Sequence, residues 1–173
     1  MKEYGVFEFG NDEFLLIEKT EAKEYGLREI SEAEQKDISF LVSDDYISFF
    51  SNCTTDCVGK HTGFIGCWDY PEIMESFRKK VIRAHASLYN FSMNSKKLVW
   101  AEMRDKYFGG KAYVYPDEMI ENLNKFDNKE IIAFLHYCTV YKERFCTGAY
   151  GEYAKDGFII KLLLRLKKLP LSL

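Results

Sequence analysis

A chain of 173 residues, 47% hydrophobic and 29% charged, is long enough to bury one core and too apolar for wholesale disorder. No apolar run approaches the roughly 20 residues that a bilayer-spanning helix needs. The first residues run straight into acidic, strand-like sequence, so the expectation is a cytoplasmic protein with no membrane partner. The net charge of −3 hides a split: residues 1–60 hold 14 acids and 6 bases, a balance of −8, and the remaining 113 hold 13 and 18, a balance of +5. Fourteen Phe and twelve Tyr place some rings at the surface, as a binding face would. Five Cys in a cytosolic chain read as thiols or metal ligands rather than disulfides.

In chain order, Tyr4–Phe9 and Glu13–Glu18 flank Gly10-Asn11-Asp12 and predict a β-hairpin. A polar stretch follows, from Lys19 to about Glu29. Ser31 with Glu34 three residues on is a capping box, so a helix starts near Glu32. Residues 38–50 are ambiguous. Ile38–Val42 and Tyr46–Phe50 are rich in aromatic and β-branched residues and fit either two strands around Ser43-Asp44-Asp45 or helix. Residues 51–67 are loop-like.

From there helices dominate. Asp69 is the expected cap of a long helix with Pro71 in its first turn, and Met74, Phe77, Val81, His85 and Leu88 on its inner face. A second helix spans Lys96–Phe108 and stops at Gly109-Gly110. Ala112–Tyr115 is a short extended piece, and a helix from Pro116 runs to about Lys125. Asp127 and Glu130 form another capping box, with Ile131, Phe134, Leu135 and Cys138 facing inward. Two short helices then meet at Asp156-Gly157. In the second, Ile159, Leu162, Leu163 and Leu166 make the buried stripe, while Lys161, Arg165 and Lys168 read as a solvated one. The fold class is α+β: an acidic N-terminal portion, 1–68, with a β-hairpin, packed on a helical body, 69–173.

The run Glu143-Arg144-Phe145-Cys146-x-Gly148, then Asp156-Gly157, then Leu163-Leu164-Arg165-Leu166, resembles the C-terminal signature of a bacterial family of unknown function. The resemblance covers about residues 128–168 and implies a helical fold; it brings no activity. The motif itself reads as architecture. Gly148 and Gly157 suit positive φ or close helix approach, Arg144 suits a carbonyl or a carboxylate such as Glu152 or Asp156, and Phe145 and Cys146 are expected in the core.

Three constellations bear on function. Glu29, Glu32, Glu34, Asp37, Asp44 and Asp45, set among Tyr46 and Phe49, form an acidic aromatic surface suited to a basic protein partner, the format of an inhibitor or immunity-type protein. Cys53, Cys57, His61 and Cys67 fall within fifteen residues and match the ligand set of a structural Cys3His zinc site, the one cofactor the sequence suggests. Cys57 and His61, four apart, would make a thiolate–imidazolium pair for an enzyme of unidentified type, although no orienting third residue can be named. His85 and His136 read as core histidines. A sequence pI of about 5.7 argues against nucleic acid as the partner of the basic C-terminal stripe. The leading expectation is a non-catalytic binding protein.

Overall fold

The structure, a computed structural model, describes residues 2–10, 12–55, 58–61, 68–92, 99–111 and 115–173. The hairpin forms where expected: β1 (Tyr4–Glu8) pairs antiparallel with β2 (Phe14–Glu18), Tyr4 opposite Glu18 and Glu8 opposite Phe14. Its reversal uses left-handed backbone at Gly10 and at Asp12, φ 60°, a conformation that Asp tolerates better than most residues. The polar stretch after it holds a short helix, α1 (Lys19–Glu24), and a two-residue strand, β3 (Arg28–Glu29). The sheet order is β2-β1-β3. Val6, Phe14 and Ile30 bury its inner face in a small cluster of their own, which includes Ala86 from the long helix below.

The Ser31–Glu34 box is complete and opens α2 (Glu32–Lys36). Buried Gln35 donates to the Ile30 carbonyl and accepts from Asn90, tying this turn to the body. Residues 38–50 are helical: a 3-10 turn at Ser39–Val42 leads into α3 (Asp44–Ser51). Ser43 at the cap position and two acids in the first turn favour a helix start there. Tyr46 and Phe50, one turn apart, both set their rings edge-on to Phe77, at 5.0 and 4.9 Å.

A second, two-stranded ladder joins β4 (Lys60–His61) to β5 (Trp68–Asp69). Asp69 therefore does not cap the long helix α4 (Glu72–Ser92), because its backbone is held opposite Lys60. The Pro71 carbonyl takes the first helical N–H groups instead, those of Met74 and Glu75. The inner face of α4 is Met74, Phe77, Val81, Ala84 and Leu88, all at most 1% exposed.

Helix α5 (Val99–Phe108) ends at Gly109 and Gly110, both with positive φ. The expected start of this helix and residues 112–114 of the expected extended piece lie outside the described residues, while Tyr115, its last residue, is extended. Helix α6 (Pro116–Glu121) is shorter than expected and gives way to a 3-10 turn, Leu123–Lys125. The Asp127–Glu130 box opens α7 (Asn128–His136), which continues as a π turn (Tyr137–Tyr141) and a 3-10 turn (Lys142–Arg144). Then come α8 (Ala149–Lys155) and α9 (Phe158–Leu166). Ile159, Leu162, Leu163 and Leu166 of α9 are fully buried in one cluster with α3, α4 and α7.

Beyond α9 the chain returns to the front of the molecule. Ile38 donates to the Leu171 carbonyl and Leu173 to that of Lys36, while the Asn128 amide holds the carbonyls of Pro170 and Ser172. None of the described helices is long and apolar enough to cross a membrane.

Candidate functional site

The acidic residues expected to meet a partner divide into two groups. Glu29, Glu32 and Glu34 line one cleft of about 600 Å³ together with Tyr4, Lys19, Gln35 and Phe91. Each already has a local partner: Glu29 pairs with Lys19 at 2.9 Å, Glu32 with Lys36, and Glu34 with Arg28 at 3.0 Å. Glu34 also accepts the Ser31 backbone N–H, the largest of the effects that lower its carboxyl to about 2. Asp37 accepts from the Ser39 N–H, and hydrogen bonding first from the Ser39 side chain and then from that N–H holds its carboxyl below the usual range.

Asp44 and Asp45 sit apart from these, exposed in the first turn of α3. Asp45 lines a separate cleft with Phe40, Ile73 and Lys80. Tyr46 is not a surface residue. It is 8% exposed, and its hydroxyl shares a 2.8 Å hydrogen bond with Ser76. Phe49 is half-buried against Phe50.

Of the Cys/His set, Cys53 is half-buried against the core and His61 is exposed, edge-on to Trp68 at 5.9 Å. Cys57 and Cys67 lie outside the described residues, so the geometry of the thiolate–imidazolium pair and of the four-ligand set lies there too. Among the described residues no three His, Cys, Asp or Glu groups gather as metal ligands.

The C-terminal motif splits in two. Its architectural part is real. Gly148 (φ 89°) begins α8 with the Trp68 ring so close that a Cβ would lie 3.1 Å from it. Gly157 (φ 78°) turns the chain into α9. Glu143 is turned inward and accepts the N–H groups of Gly148 and Tyr150, both at 2.9 Å, so that it caps α8. Burial, and then the hydrogen bond to Glu143, keep the Tyr70 phenol protonated.

Phe145 and Cys146 are not in the core: Phe145 is 74% exposed and Cys146 is exposed beside it. The α8 cap draws Glu143 inward and sends the following residues out. Arg144 is also exposed, and it meets neither Glu152 nor Asp156. The rings of Trp100, Tyr137, Tyr141 and Phe145 follow one another at 4.6, 5.7 and 5.2 Å, so that an aromatic ladder climbs from the body to the surface.

Beside this ridge, Val140, Glu143 and Arg144 form one wall of a cleft of about 380 Å³. The other walls are Asp12–Leu15 at the hairpin turn and Glu75, Arg78, Lys79 and Ile82 of α4. One turn further along the same two helices, His85 and His136 stack face to face, with centroids 3.6 Å apart and planes at 3°. Burial, and then the neighbouring His136, hold the pKa of His85 down to about 3. Burial, and then Arg144, bring that of His136 to about 4. Both are neutral at pH 7. The sequence placed both histidines on or beside apolar helical faces but carried no signal that the two would meet, since they lie 51 positions apart.

Comparison with known protein families, curated proteins and solved structures finds no match to this chain.

Proposed function

We propose that the protein is a non-catalytic binding protein whose acidic N-terminal face receives a basic segment of a protein partner. The observation that supports this reading is the cleft shared by Glu29, Glu32 and Glu34, which Tyr4 and Phe91 line with aromatic surface. The three carboxylates are already paired, and a partner's Lys or Arg would exchange with those pairs. Exposed ion pairs are worth about 0–1 kcal/mol each, so the exchange costs little and gains little. Affinity then comes from covering the rings, and the −8 balance of residues 1–60 supplies steering and choice of partner.

The test uses Glu29→Lys and Glu32→Lys, because Glu34 and Asp37 cap local structure and would confound it. Cross-linking from cells is expected to recover one basic protein in stoichiometric yield, and the double reversal is expected to abolish its capture. Reversal of Asp44 and Asp45 on the separate α3 surface is the control. Equal capture by the Glu29/Glu32 variant would reject the acidic cleft as the interface.

A further inference from the structure

The cleft between the hairpin turn, α4 and the turn after α7 is a second site, chemically unlike the acidic one. Its lining carries four carboxylates, Asp12, Glu13, Glu75 and Glu143, and three cations, Arg78, Lys79 and Arg144. All four carboxylates are engaged. Glu75 pairs with Arg78 at 2.6 Å, Glu13 lies 3.9 Å from Lys79, Asp12 lies 3.9 Å from Lys80, and Glu143 caps α8. Arg144 is left over: its guanidinium makes no hydrogen bond or ion pair among the described residues. The π turn over Tyr137–Tyr141 precedes it, and Val140 and Arg144 share one wall of the cleft. The lining also carries four apolar residues, Phe14, Leu15, Ile82 and Val140.

We propose that this cleft binds a small monocarboxylate with an apolar tail, its carboxylate on the Arg144 fork and its tail over Leu15, Ile82 and Val140. A planar guanidinium matches a carboxylate with two parallel hydrogen bonds. The uncommitted Arg144 sets the charge of the ligand: one cation suits one anionic group, while the four carboxylates of the lining repel a polyphosphate. The cleft volume of about 380 Å³ lies in the range of small-molecule sites. A free aliphatic acid and the apolar C-terminal residue of a peptide share this chemistry.

The experiment is an amide-resolved NMR titration of the full chain with hexanoate and with N-acetyl-L-leucine, beside hexan-1-ol and inorganic phosphate. Saturable shifts at Leu15, Ile82, Val140 and Arg144 are expected for the two carboxylates and for neither control. The tighter of the two names the source, aliphatic acid or peptide C-terminus. Arg144→Gln is expected to weaken binding about tenfold or more, and Arg144→Lys to fall between, because a lysine keeps the charge and loses the fork. The exposed Arg144 side chain can change without disturbing the core, and an unchanged melting curve checks that it has. The proposal is overturned if neither carboxylate shifts these amides, if phosphate shifts them as strongly, or if Arg144→Gln binds like the parent. The acidic-cleft reading rests on different residues, and none of these results bears on it.

Discussion

Arg83 on α4 lies between the rings of Phe14 and Phe40, 5.0 and 4.7 Å from their centroids, and donates to the Glu34 carbonyl at 3.3 Å. One side chain thereby joins the hairpin, the 3-10 turn and α2 to the body. Each cation–π contact contributes about 0.5–2 kcal/mol, more as water is excluded. Arg83→Ala is therefore expected to lower stability by about 2–3 kcal/mol, and Arg83→Lys by less. Urea unfolding of the three proteins checks this; equal stability of Arg83→Ala and the parent would remove Arg83 as a tie. A second contrast lies in the glycines. Gly148→Ala combines a left-handed backbone with a Cβ pressed on Trp68, whereas the Cβ of Gly157→Ala meets nothing nearer than 3.9 Å. Both variants lose about 1–2 kcal/mol to backbone strain, and Gly148→Ala is expected to lose measurably more, read as a larger drop in unfolding midpoint. Positive φ at both positions was legible in the motif. Arg83 was not, because nothing in a lone arginine on a helix says which rings will flank it.

Among the elements, α4 and α7 share a contact that titrates. The unfolded chain protonates its histidines near pH 6.5, while His85 and His136 in the fold protonate only near 3 and 4. Between pH 6.5 and 4 the unfolded state therefore binds more protons, and stability falls as pH falls, by up to about 1.4 kcal/mol per pH unit for each histidine. Most carboxylates are still ionised above pH 5, so a urea titration between pH 6.5 and 5 isolates the pair. His136→Gln is expected to roughly halve the slope, and a slope the variant leaves unchanged would contradict the burial of these rings. The Cys/His loop carries a different expectation. A Cys3His site on Cys53, Cys57, His61 and Cys67 predicts about one zinc per chain purified without chelator, lost in both Cys53→Ser and His61→Ala. Metal-free protein whose melting neither variant alters would dispose of it. Element type was well legible wherever a capping box or a four-residue apolar repeat spoke, as at Ser31, Asp127 and Ile159–Leu166. It failed where long-range pairing decided. Asp69 looks like a cap until Lys60 pairs with it, and Phe145 looks like core until Glu143 turns inward to cap α8.

For the whole molecule, the separation of charge along the chain suggests that the acidic front and the basic body hold each other by charge. Among the described residues the ion pairs that cross between them are sparse and long: Glu13 to Lys79 at 3.9 Å, Asp12 to Lys80 at 3.9 Å and Asp44 to Lys167 at 3.5 Å. Asp44, at 97% side-chain exposure, has water as its main neighbour. Exposed pairs of this kind contribute about 0–1 kcal/mol each, whereas one fully buried large apolar side chain contributes about 1.5–3. Phe50, Leu41 and Ile38 of the front are all buried in the main core, so apolar burial decides the association. Salt should accordingly have opposite consequences for folding and for binding. Raising it to about 1 M, where the screening length falls to about 3 Å, is expected to change unfolding stability by less than about 1 kcal/mol. The same change is expected to slow association with a basic partner about tenfold or more, because steering acts over distances that salt screens. A large loss of stability in salt would mean that charge holds the front to the body. The acidic face would then be occupied by the protein itself rather than offered to a partner.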